Sequence, residues 1–392
     1  MVLGLTAIAA KSSAPVEPTS RKIVVFKSGV DESAKEALIN KFNGEKIKDL
    51  RLINGKVARL TAKAERDLVR HSDVLRIDDD VIVEALAKGG ISVKPTATQP
   101  VETLPWGVNR IDADLVWGIT TGDPVKVAVI DTGIDISHPD LKDNIKGGMS
   151  AVAYTASYND DNGHGTHVAG IIGAIDNTIG VIGVGPKIDL YAVKVLDRRG
   201  SGYLSDIIEG LDWAISNGIQ VVNMSLGTTA NILSFQEAVQ RVNAAGIVQV
   251  AAAGNSGDSV NYPAAYPEVI AVSATDKLDA VASWSSRGPE VDLSAPGVSV
   301  YSTYKGQAYK TLSGTSMAAP HVAGAAALVL TTILSSSTIG IVWDLDGDGI
   351  WDPSEVQNKL EKTAEQVAPD IIPGKDNLYG AGLVDAEKAV VQ

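Results

Sequence analysis

Residues 127–135 read VAVIDTGID, an apolar, mainly β-branched run that ends in an aspartate and a Thr-Gly turn. Such a run is typical of a strand that is buried on both faces of a sheet, and Asp131 lies where that strand ends. Stretches with helical spacing separate further runs of this kind, at 189–195, 221–224, 247–252 and 269–272. The alternation predicts an α/β domain in which helices cover both faces of a mainly parallel sheet.

The composition excludes several classes of protein. Of the 392 residues, 45% are hydrophobic and 21% are charged, which is enough apolar material for a large buried core. The net charge of -13 argues against nucleic acid or an anionic membrane surface as the main partner, because clustered Lys and Arg bind phosphate groups. The chain contains no cysteine, so disulfides, thiolate catalysis and cysteine metal sites are excluded. No window reaches the roughly 18 to 20 consecutive apolar residues of a membrane span.

Two segments look irregular. Residues 1–20 begin with a short apolar run that ends in small residues and continue into a Ser/Pro-rich stretch. This pattern indicates either a secretory signal remnant without its basic region or a disordered N-terminus. Residues 87–105 are rich in Gly, Pro and Thr, and we expect them to form an extended linker.

A small domain is predicted between these segments, at 21–86. Its strand and helix signals follow the order β-α-β-β-α-β, which is that of a ferredoxin-like α+β domain. Asn54-Gly55 predicts a type I′ hairpin between the second and third strands. The last strand is predicted within 74–84.

Four polar side chains lie at strand ends or helix starts, where an open α/β sheet places its ligand crevice. They are Asp131, His164, Asn255 and Ser316. Each has an ordinary structural explanation by itself, as a helix cap, a structural histidine or a turn residue. Together they supply a hydroxyl nucleophile, an imidazole base, a carboxylate that orients the imidazole and an amide donor for an oxyanion. Those are the parts that acyl transfer needs.

Three motifs around these residues resemble the signatures of the subtilisin-like serine proteases, in the same chain order. They are D-T-G at 131–133, H-G-T-H-V-A-G at 164–170 and G-T-S-M-A-A-P at 314–320. The resemblance covers residues 106–392 and implies a subtilisin-like catalytic domain with a mainly parallel sheet flanked by helices. It also implies that 21–86 are a propeptide, which the family uses as a folding chaperone and temporary inhibitor.

The resemblance implies a role for each residue of the site. Ser316 would be the nucleophile, His164 the general base and then the acid, and Asp131 the carboxylate that holds the imidazole. Asn255 and the Ser316 backbone N–H would form the oxyanion hole, whereas His167 would be structural. Extended peptides would pair with exposed backbone and place an apolar residue before the cut bond. The substrate-binding residues would be Gly200, Ser201, Gly202, Ser225, Leu226, Gly227, Ala252, Ala253, Gly254 and Asn261.

The stretch 344–355, DLDGDGIWDPSE, has the ligand pattern of an EF-hand-type calcium loop. Carboxylates occupy ligand positions 1, 3, 5, 9 and 12, a glycine occupies position 6, and position 7 offers its carbonyl. These positions are Asp344, Asp346, Asp348, Asp352, Glu355, Gly349 and Ile350. The entering helix of an EF-hand is missing, so we expect a calcium loop inserted before a C-terminal helix at 354–364. The alternative is a solvated acidic turn.

A second calcium site is implied by the resemblance alone. The segment 175–181, IDNTIGV, matches the family's calcium loop after the histidine helix. The implied ligands are the side chains of Glu102, Asp140 and Asn177 and the carbonyls of Ile175, Ile179 and Val181. Oxygen ligands in this number favour calcium over a transition metal. By themselves these residues indicate only a loop.

These inferences predict a secreted, monomeric, calcium-stabilised protease that is made as a zymogen and acts on proteins and peptides. The residues VEAL, 83–86, would enter the substrate cleft from the side of the propeptide. We therefore expect self-cleavage between Leu86 and Ala87, with Lys88 as a second candidate site.

Two other classes of protein are disfavoured. A non-enzymatic calcium-dependent binding protein on a protease scaffold would have lost at least one of the four site residues, and none is lost. An α/β-hydrolase esterase needs G-x-S-x-G around its nucleophile and the chain order Ser, Asp, His. Here the order is Asp, His, Ser.

Overall fold

The computed structural model describes residues 17–87, 92–93, 99–334, 343–367 and 375–392. The predicted signal or disordered segment up to residue 16, most of the linker and Lys88 lie outside the described residues. The chain forms two compact units. The smaller comprises the described residues of Met1–Asp49 and Asn54–Asp79, and the larger those of Leu50–Ile53 and Asp80–Gln392.

The smaller unit is a four-stranded sheet with two helices. Its elements are β1 (Thr19–Phe26), α1 (Glu32–Lys41), β2 (Glu45–Leu50), β3 (Gly55–Thr61), α2 (Ala62–Leu68) and β4 (Val74–Asp79). The strand order is β2-β3-β1-β4, and β1 pairs antiparallel with β3 and β4. Both helices begin at a side-chain cap, because Asp31 accepts the Ala34 N–H and Thr61 accepts the Ala64 N–H. The ferredoxin-like classification of this unit stays a prediction.

The turn between β2 and β3 differs from the predicted type I′ hairpin. Such a turn needs a positive φ at both central residues. Asn54 has one, at 54°, but Gly55 does not and already belongs to β3. A 3₁₀ turn, Arg51–Ile53, precedes Asn54. The Asn54 amide donates to Phe26 O at the end of β1, 2.9 Å away, so a tertiary contact rather than the hairpin itself fixes this turn.

The predicted α/β class is confirmed by the larger unit, whose central sheet has seven parallel strands flanked by helices. The order is β15-β14-β13-β11-β7-β9-β8. In chain order the strands are β7 (Lys126–Asp131), β8 (Ile145–Ser150), β9 (Asp189–Lys194), β11 (Val221–Met224), β13 (Val248–Ala252), β14 (Ile270–Thr275) and β15 (Leu293–Pro296). Every pair in this sheet is parallel, so the carboxyl ends of all seven strands meet at one edge.

Seven helices and two small sheets complete the described part of the larger unit. The helices are α3 (Trp106–Arg110), α4 (His164–Gly173), α5 (Leu204–Ser216), α6 (Leu233–Ala244), α7 (Thr315–Leu330), α8 (Pro353–Thr363) and α9 (Ala386–Val391), besides a 3₁₀ turn at Ala113–Val116. One small sheet has the order β10-β5-β12, from Ser201–Tyr203, Ile82–Ala85 and Leu226–Gly227. The other has the order β16-β17-β6, from Val300–Tyr304, Ala308–Leu312 and Ser92–Val93.

The single strand predicted within 74–84 is therefore two strands, β4 and β5. The chain turns between them at Asp80, whose carboxylate accepts both the N–H and the hydroxyl of Ser205 at 2.9 Å. These bonds start β5 in a new direction, and β5 pairs within the larger unit rather than with β1.

Helix α7 forms the centre of the core of the larger unit. All of its residues from Thr315 to Val329 are buried. Among the described residues, no helix combines the length and the apolar content that a membrane span requires.

Candidate active site

Asp131 and His164 meet at the carboxyl edge of the seven-stranded sheet. Asp131 is the last residue of β7 and His164 the first of α4. The imidazole Nδ1 lies 2.8 Å from each carboxylate oxygen, and both side chains are buried. Burial opposes protonation of His164, but the neighbouring Asp131 carboxylate outweighs it and raises the pKa of His164 above its usual value. A carboxylate so placed holds the tautomer that carries its proton on Nδ1.

A second buried carboxylate, Asp160, fixes the start of α4. Its Oδ2 accepts the N–H and the hydroxyl of Thr166, and its Oδ1 accepts the Gly163 N–H. Oδ1 also accepts the hydroxyl of Thr132, the residue that follows Asp131. The Asp160 side chain thereby joins the end of β7 to the first turn of α4. These bonds fix the positions of Asp131 and His164 relative to each other.

Ser316 lies in the first turn of α7 and is fully buried. Its hydroxyl donates to Ser225 O at 2.9 Å. His164 Nε2 is buried and has no hydrogen-bond partner among the described residues. The structure therefore brings serine, histidine and aspartate to one edge of the sheet, with the hydroxyl turned to a backbone carbonyl.

Asn255 follows β13, and both ends of its side-chain amide are bonded. Its Oδ1 accepts the N–H of Thr315 at 3.0 Å and the hydroxyl of the same residue at 3.1 Å. Since these donors fix the amide orientation, Nδ2 points the other way and donates to Leu86 O at 2.6 Å. A peptide carbonyl thus occupies the position that an oxyanion donor addresses.

The chain before that carbonyl lies between two strands of the cleft. β5 pairs antiparallel with β10 on one side, with Glu84 opposite Ser201, and with β12 on the other. The Ala85 N–H donates to Gly200 O at 2.9 Å, and the Leu86 N–H donates to Ser225 O at 3.2 Å. Both segments therefore pair with the chain's own β5, and their role in binding substrate stays a prediction.

The Leu86 side chain lies beside Gly227, which is itself close to Asn261. A Cβ added to Gly227 would lie 3.0 Å from Leu86 Cδ1 and 3.2 Å from Asn261 Cβ. A Cβ on Gly254 would also come within 3.1 Å of the Asn261 side chain. The remaining predicted wall residues, Ala252 and Ala253, are fully buried.

Thr315, Asp160 and Thr132 hold the site together, but the sequence reasoning missed them. Each contributes a side chain that orients a predicted residue without sitting at the reacting carbonyl. A signal existed, since all three lie within four residues of a predicted site residue. Their bonds, however, depend on how β7, α4 and α7 pack together.

Asp140, Asn177 and Glu102, implied as ligands of the second calcium site, lie together. Asp140 Oδ1 accepts the Asn177 side-chain amide at 2.9 Å, and Glu102 Oε1 accepts the Asn177 N–H at 2.6 Å. Burial raises the pKa of Asp140 to about 6, and burial also raises the pKa of Glu102. Asp140 Oδ2 accepts the Val181 N–H, and Asn177 Oδ1 accepts the Ile179 N–H. Ile175 joins the group through its N–H, which donates to Asp140 O. The donors are all oxygens, as calcium prefers.

The acidic loop brings three of its predicted ligands together. Oxygens of Asp344, Asp346 and Asp348 lie within 4.8 Å of one another. Asp352 instead caps α8, where its carboxylate accepts the Ser354 and Glu355 N–H groups. The two Glu355 oxygens accept the Leu345 and Asp352 N–H groups, and the Ile350 N–H donates to Asp348. The predicted C-terminal helix is α8, one residue ahead of its predicted bounds.

Comparisons with known proteins agree with this geometry. A family model described as the subtilase family matches residues 122–382. The chain is 48% identical to a thermostable alkaline protease of Halalkalibacterium halodurans over 291 residues, 74% of each protein. It is 41% identical to subtilisin E of Bacillus subtilis over 382 residues, 95% of this chain and 91% of that protein. With subtilisin Savinase of Lederbergia lenta the identity is 47% over 290 residues, 74% of this chain and 99% of that protein.

Proposed function

The chain belongs to the subtilase family and is a subtilisin-type serine endopeptidase, and from this premise we propose that it matures by cutting its own Leu86–Ala87 bond. The observation that carries the proposal is the 2.6 Å bond from Asn255 Nδ2 to Leu86 O, at the end of a strand paired on both sides. A scissile carbonyl is expected at that position.

The cutting step uses the four site residues. Ser316 Oγ turns from Ser225 O toward His164 Nε2, which takes its proton as the oxygen attacks the Leu86 carbonyl carbon. Asn255 Nδ2 and the Ser316 N–H donate to the developing oxyanion. The C–N bond to Ala87 then breaks, and His164 gives the proton to the leaving amine. Water hydrolyses the acyl-enzyme by the same steps, with His164 again as the base.

After cleavage, residues 82–86 would remain in the cleft as a product-like strand. Their pairing with β10 and β12 supports the role of the 21–86 segment as a temporary inhibitor, because substrate needs the same two strands. Release of this segment would free the site for other proteins and peptides.

Substrates are proposed to be extended peptides with an apolar residue before the cut bond. Leu86 stands in the place of that residue, and Gly227 leaves room for its side chain, because a Cβ there would lie 3.0 Å from Leu86 Cδ1. The fully buried pocket walls Ala252 and Ala253 add no charge.

Calcium is proposed to stabilise the folded enzyme at two places. One uses the acidic loop, where Asp344, Asp346 and Asp348 converge. The other uses Glu102, Asp140 and Asn177, with backbone carbonyls of the 175–181 loop. When bound, calcium would neutralise carboxylates that otherwise repel one another. Secretion and a monomeric state complete the proposal.

The experiment that tests self-processing compares three purified proteins by N-terminal sequencing and intact mass. Wild type should yield a new N-terminus at Ala87. The Ser316→Ala variant should stay uncut, whereas a Ser313→Ala control, a hydroxyl loss three residues upstream, should process like wild type. Cleavage after Leu86 in purified Ser316→Ala protein would contradict the proposal.

A further inference from the structure

A cavity of about 130 Å³ opens in the larger unit at the end of the sheet away from the catalytic residues. It lies where β13 and β14 begin and is closed on another side by the first turns of α8. Asn255 follows the opposite, carboxyl end of β13. Nothing in the proposed protease mechanism uses this cavity, so it needs its own explanation.

One wall of the cavity is Gln249, whose side-chain amide can face only one way. Its Nε2 donates to Val239 O at 3.0 Å and to Glu268 O at 3.3 Å. Because both partners are carbonyl acceptors, a flipped amide would place oxygen against oxygen. Oε1 must therefore face away from them, and it has no partner among the described residues although Gln249 is only 1% exposed.

Glu268 provides a second acceptor without a partner. Its Oε2 is buried and has no hydrogen bond in the described part of the chain. Glu268 carries the only charge among the residues that line the cavity. A buried carboxylate oxygen that gives up water without gaining a donor is destabilising. Neither orphan oxygen is therefore matched by a donor or a cation in the described part of the chain.

We infer that this cavity binds a hydrated metal cation through Gln249 Oε1 and Glu268 Oε2. An anion is excluded, since both orphan atoms are acceptors. The first-turn N–H groups of α8, at Ser354 and Glu355, already donate to Asp352 and so do not compete for the site.

The donor set narrows the class of cation. Asn243, Ser354 and Gln357 also line the cavity, and each of them carries a side-chain oxygen. Cysteine is absent from the chain, and no histidine lines the cavity. An all-oxygen set with one carboxylate suits calcium, magnesium or sodium rather than a transition metal. The volume leaves room for several waters in the coordination shell, at roughly 30 Å³ each.

A cation here would join three parts of the fold: the start of β13, the segment before β14, and α8. Because the cavity and Asn255 lie at opposite ends of β13, a bound cation should change the stability of the fold rather than the catalytic rate. The site also differs from the acidic loop and from the Glu102–Asp140 cluster, since it shares no proposed calcium ligand with either, although Pro353 and Ser354 of the loop segment line it.

The test uses full-length Ser316→Ala protein, which cannot digest itself, with calcium and terbium as probes. Crystals grown with terbium should show an anomalous peak about 2.3–2.6 Å from both Gln249 Oε1 and Glu268 Oε2, the usual range of calcium–oxygen distances. In calorimetric titration, a Glu268→Gln variant should bind one calcium fewer per chain. A Glu209→Gln control, a half-buried glutamate outside the cavity, should bind the same number as the parent.

Three outcomes overturn the inference: an ordered water without an anomalous peak at this position, an unchanged calcium count in Glu268→Gln, or an equal loss in Glu209→Gln. The crystal of the parent protein decides the question even if Glu268→Gln fails to fold. Because the parent is catalytically inert and peaks at other calcium sites are located separately, failure here is distinguishable from failure of the proposed processing or of the other calcium sites.

Discussion

The Asn255 side chain is held at its oxygen, Oδ1, and donates a hydrogen bond from its nitrogen, Nδ2. Thr315 holds its oxygen through two bonds, so its amide nitrogen is already aimed at Leu86 O before any charge develops. A donor that needs no reorientation stabilises the transition state more than the ground state. Asn255 is therefore the residue at which a single substitution separates catalysis from folding.

We expect Asn255→Ala to lower kcat by about 10²–10³ while the protein still folds; this magnitude is the one known for the equivalent change in a subtilisin and is not calculated from this chain. The measurement is steady-state kinetics on a peptide substrate, with circular dichroism as the check on folding. An Asn217→Ala control, at the exposed C-cap of α5, should retain wild-type kcat. A fall in kcat of less than tenfold in Asn255→Ala would show that Asn255 is not part of the oxyanion hole.

We expect His164, as the proposed general base, to set the acid limit of activity. The Asp131 carboxylate raises the pKa of His164 in spite of burial, and the imidazole must be neutral to take a proton from Ser316. Activity is therefore full above the raised pKa and is lost as the pH falls through it. In the mature enzyme, kcat/KM should show an acid limb with its midpoint above 6.5, the ordinary value for histidine. A midpoint below about 6 would mean that Asp131 does not govern the imidazole.

At the scale of elements, the cleft consists of two short strands, β10 and β12, with space for a third strand between them. β10 and β12 do not touch as neighbours in their sheet, since β5 lies between them and supplies the hydrogen bonds of both. Gly227 leaves space for the residue that follows β5, because a Cβ there would lie 3.0 Å from Leu86 Cδ1, whereas a Cβ on Gly202 would meet Val195 O rather than β5. Side-chain size along β12 should thus control which residue fits before the cut bond.

We expect Gly227→Val to hinder cleavage after leucine, because its side chain would enter the space of Leu86 and Asn261. The ratio of kcat/KM for leucine to that for alanine before the cut bond should fall by about tenfold or more, equivalent to at least 1.4 kcal/mol. A Gly118→Val control, where an added Cβ meets nothing within 4 Å, should leave the ratio unchanged. An unaltered ratio in Gly227→Val would place the leucine side chain elsewhere.

The starts of α4 and α7 were predictable, whereas the β2–β3 turn and the break between β4 and β5 were not. His164 and Ser316 open helices in motifs whose small residues permit close packing, a local signal. The turn at Asn54 and the break at Asp80 depend on bonds to Phe26 and Ser205, residues far away in the sequence. Local secondary-structure propensity carries no information about such distant partners.

At the scale of the whole molecule, the net charge of -13 is partly concentrated in groups that a cation can neutralise. Asp344, Asp346 and Asp348 converge in the acidic loop, and their mutual repulsion opposes folding when no cation is bound. Calcium should therefore add stability by binding the folded chain alone.

In the Ser316→Ala background, free calcium at a hundredfold excess over Kd should stabilise the loop by about 2.7 kcal/mol. For a unit of this size, with an unfolding entropy of about 2.1 cal/mol/K per residue, that corresponds to a rise in Tm of about 4 °C. Asp346→Asn should reduce this rise, and in chelator it should be no less stable than the parent, because one repelling charge is gone. The exposed Asp143→Asn serves as the control. Equal calcium shifts in all three proteins, measured by calorimetry, would argue against a calcium loop.

The sequence by itself determined which residues could do chemistry, their chain order and the α/β class. Those properties are local: a carboxylate behind a β-branched run, a histidine and a serine at helix starts, and an amide behind a strand. The residues Asp131, His164, Asn255 and Ser316 could therefore be found without a structure.

Only the tertiary structure decided what these residues face. It put the Leu86 carbonyl on Asn255 and β5 between two strands, and it turned the Ser316 hydroxyl to Ser225 O. It also enclosed the two orphan acceptors Gln249 and Glu268 in one cavity. Each of these facts depends on segments that are distant in the chain and become neighbours only when the sheet and α7 pack together, and no local pattern of residues records that packing.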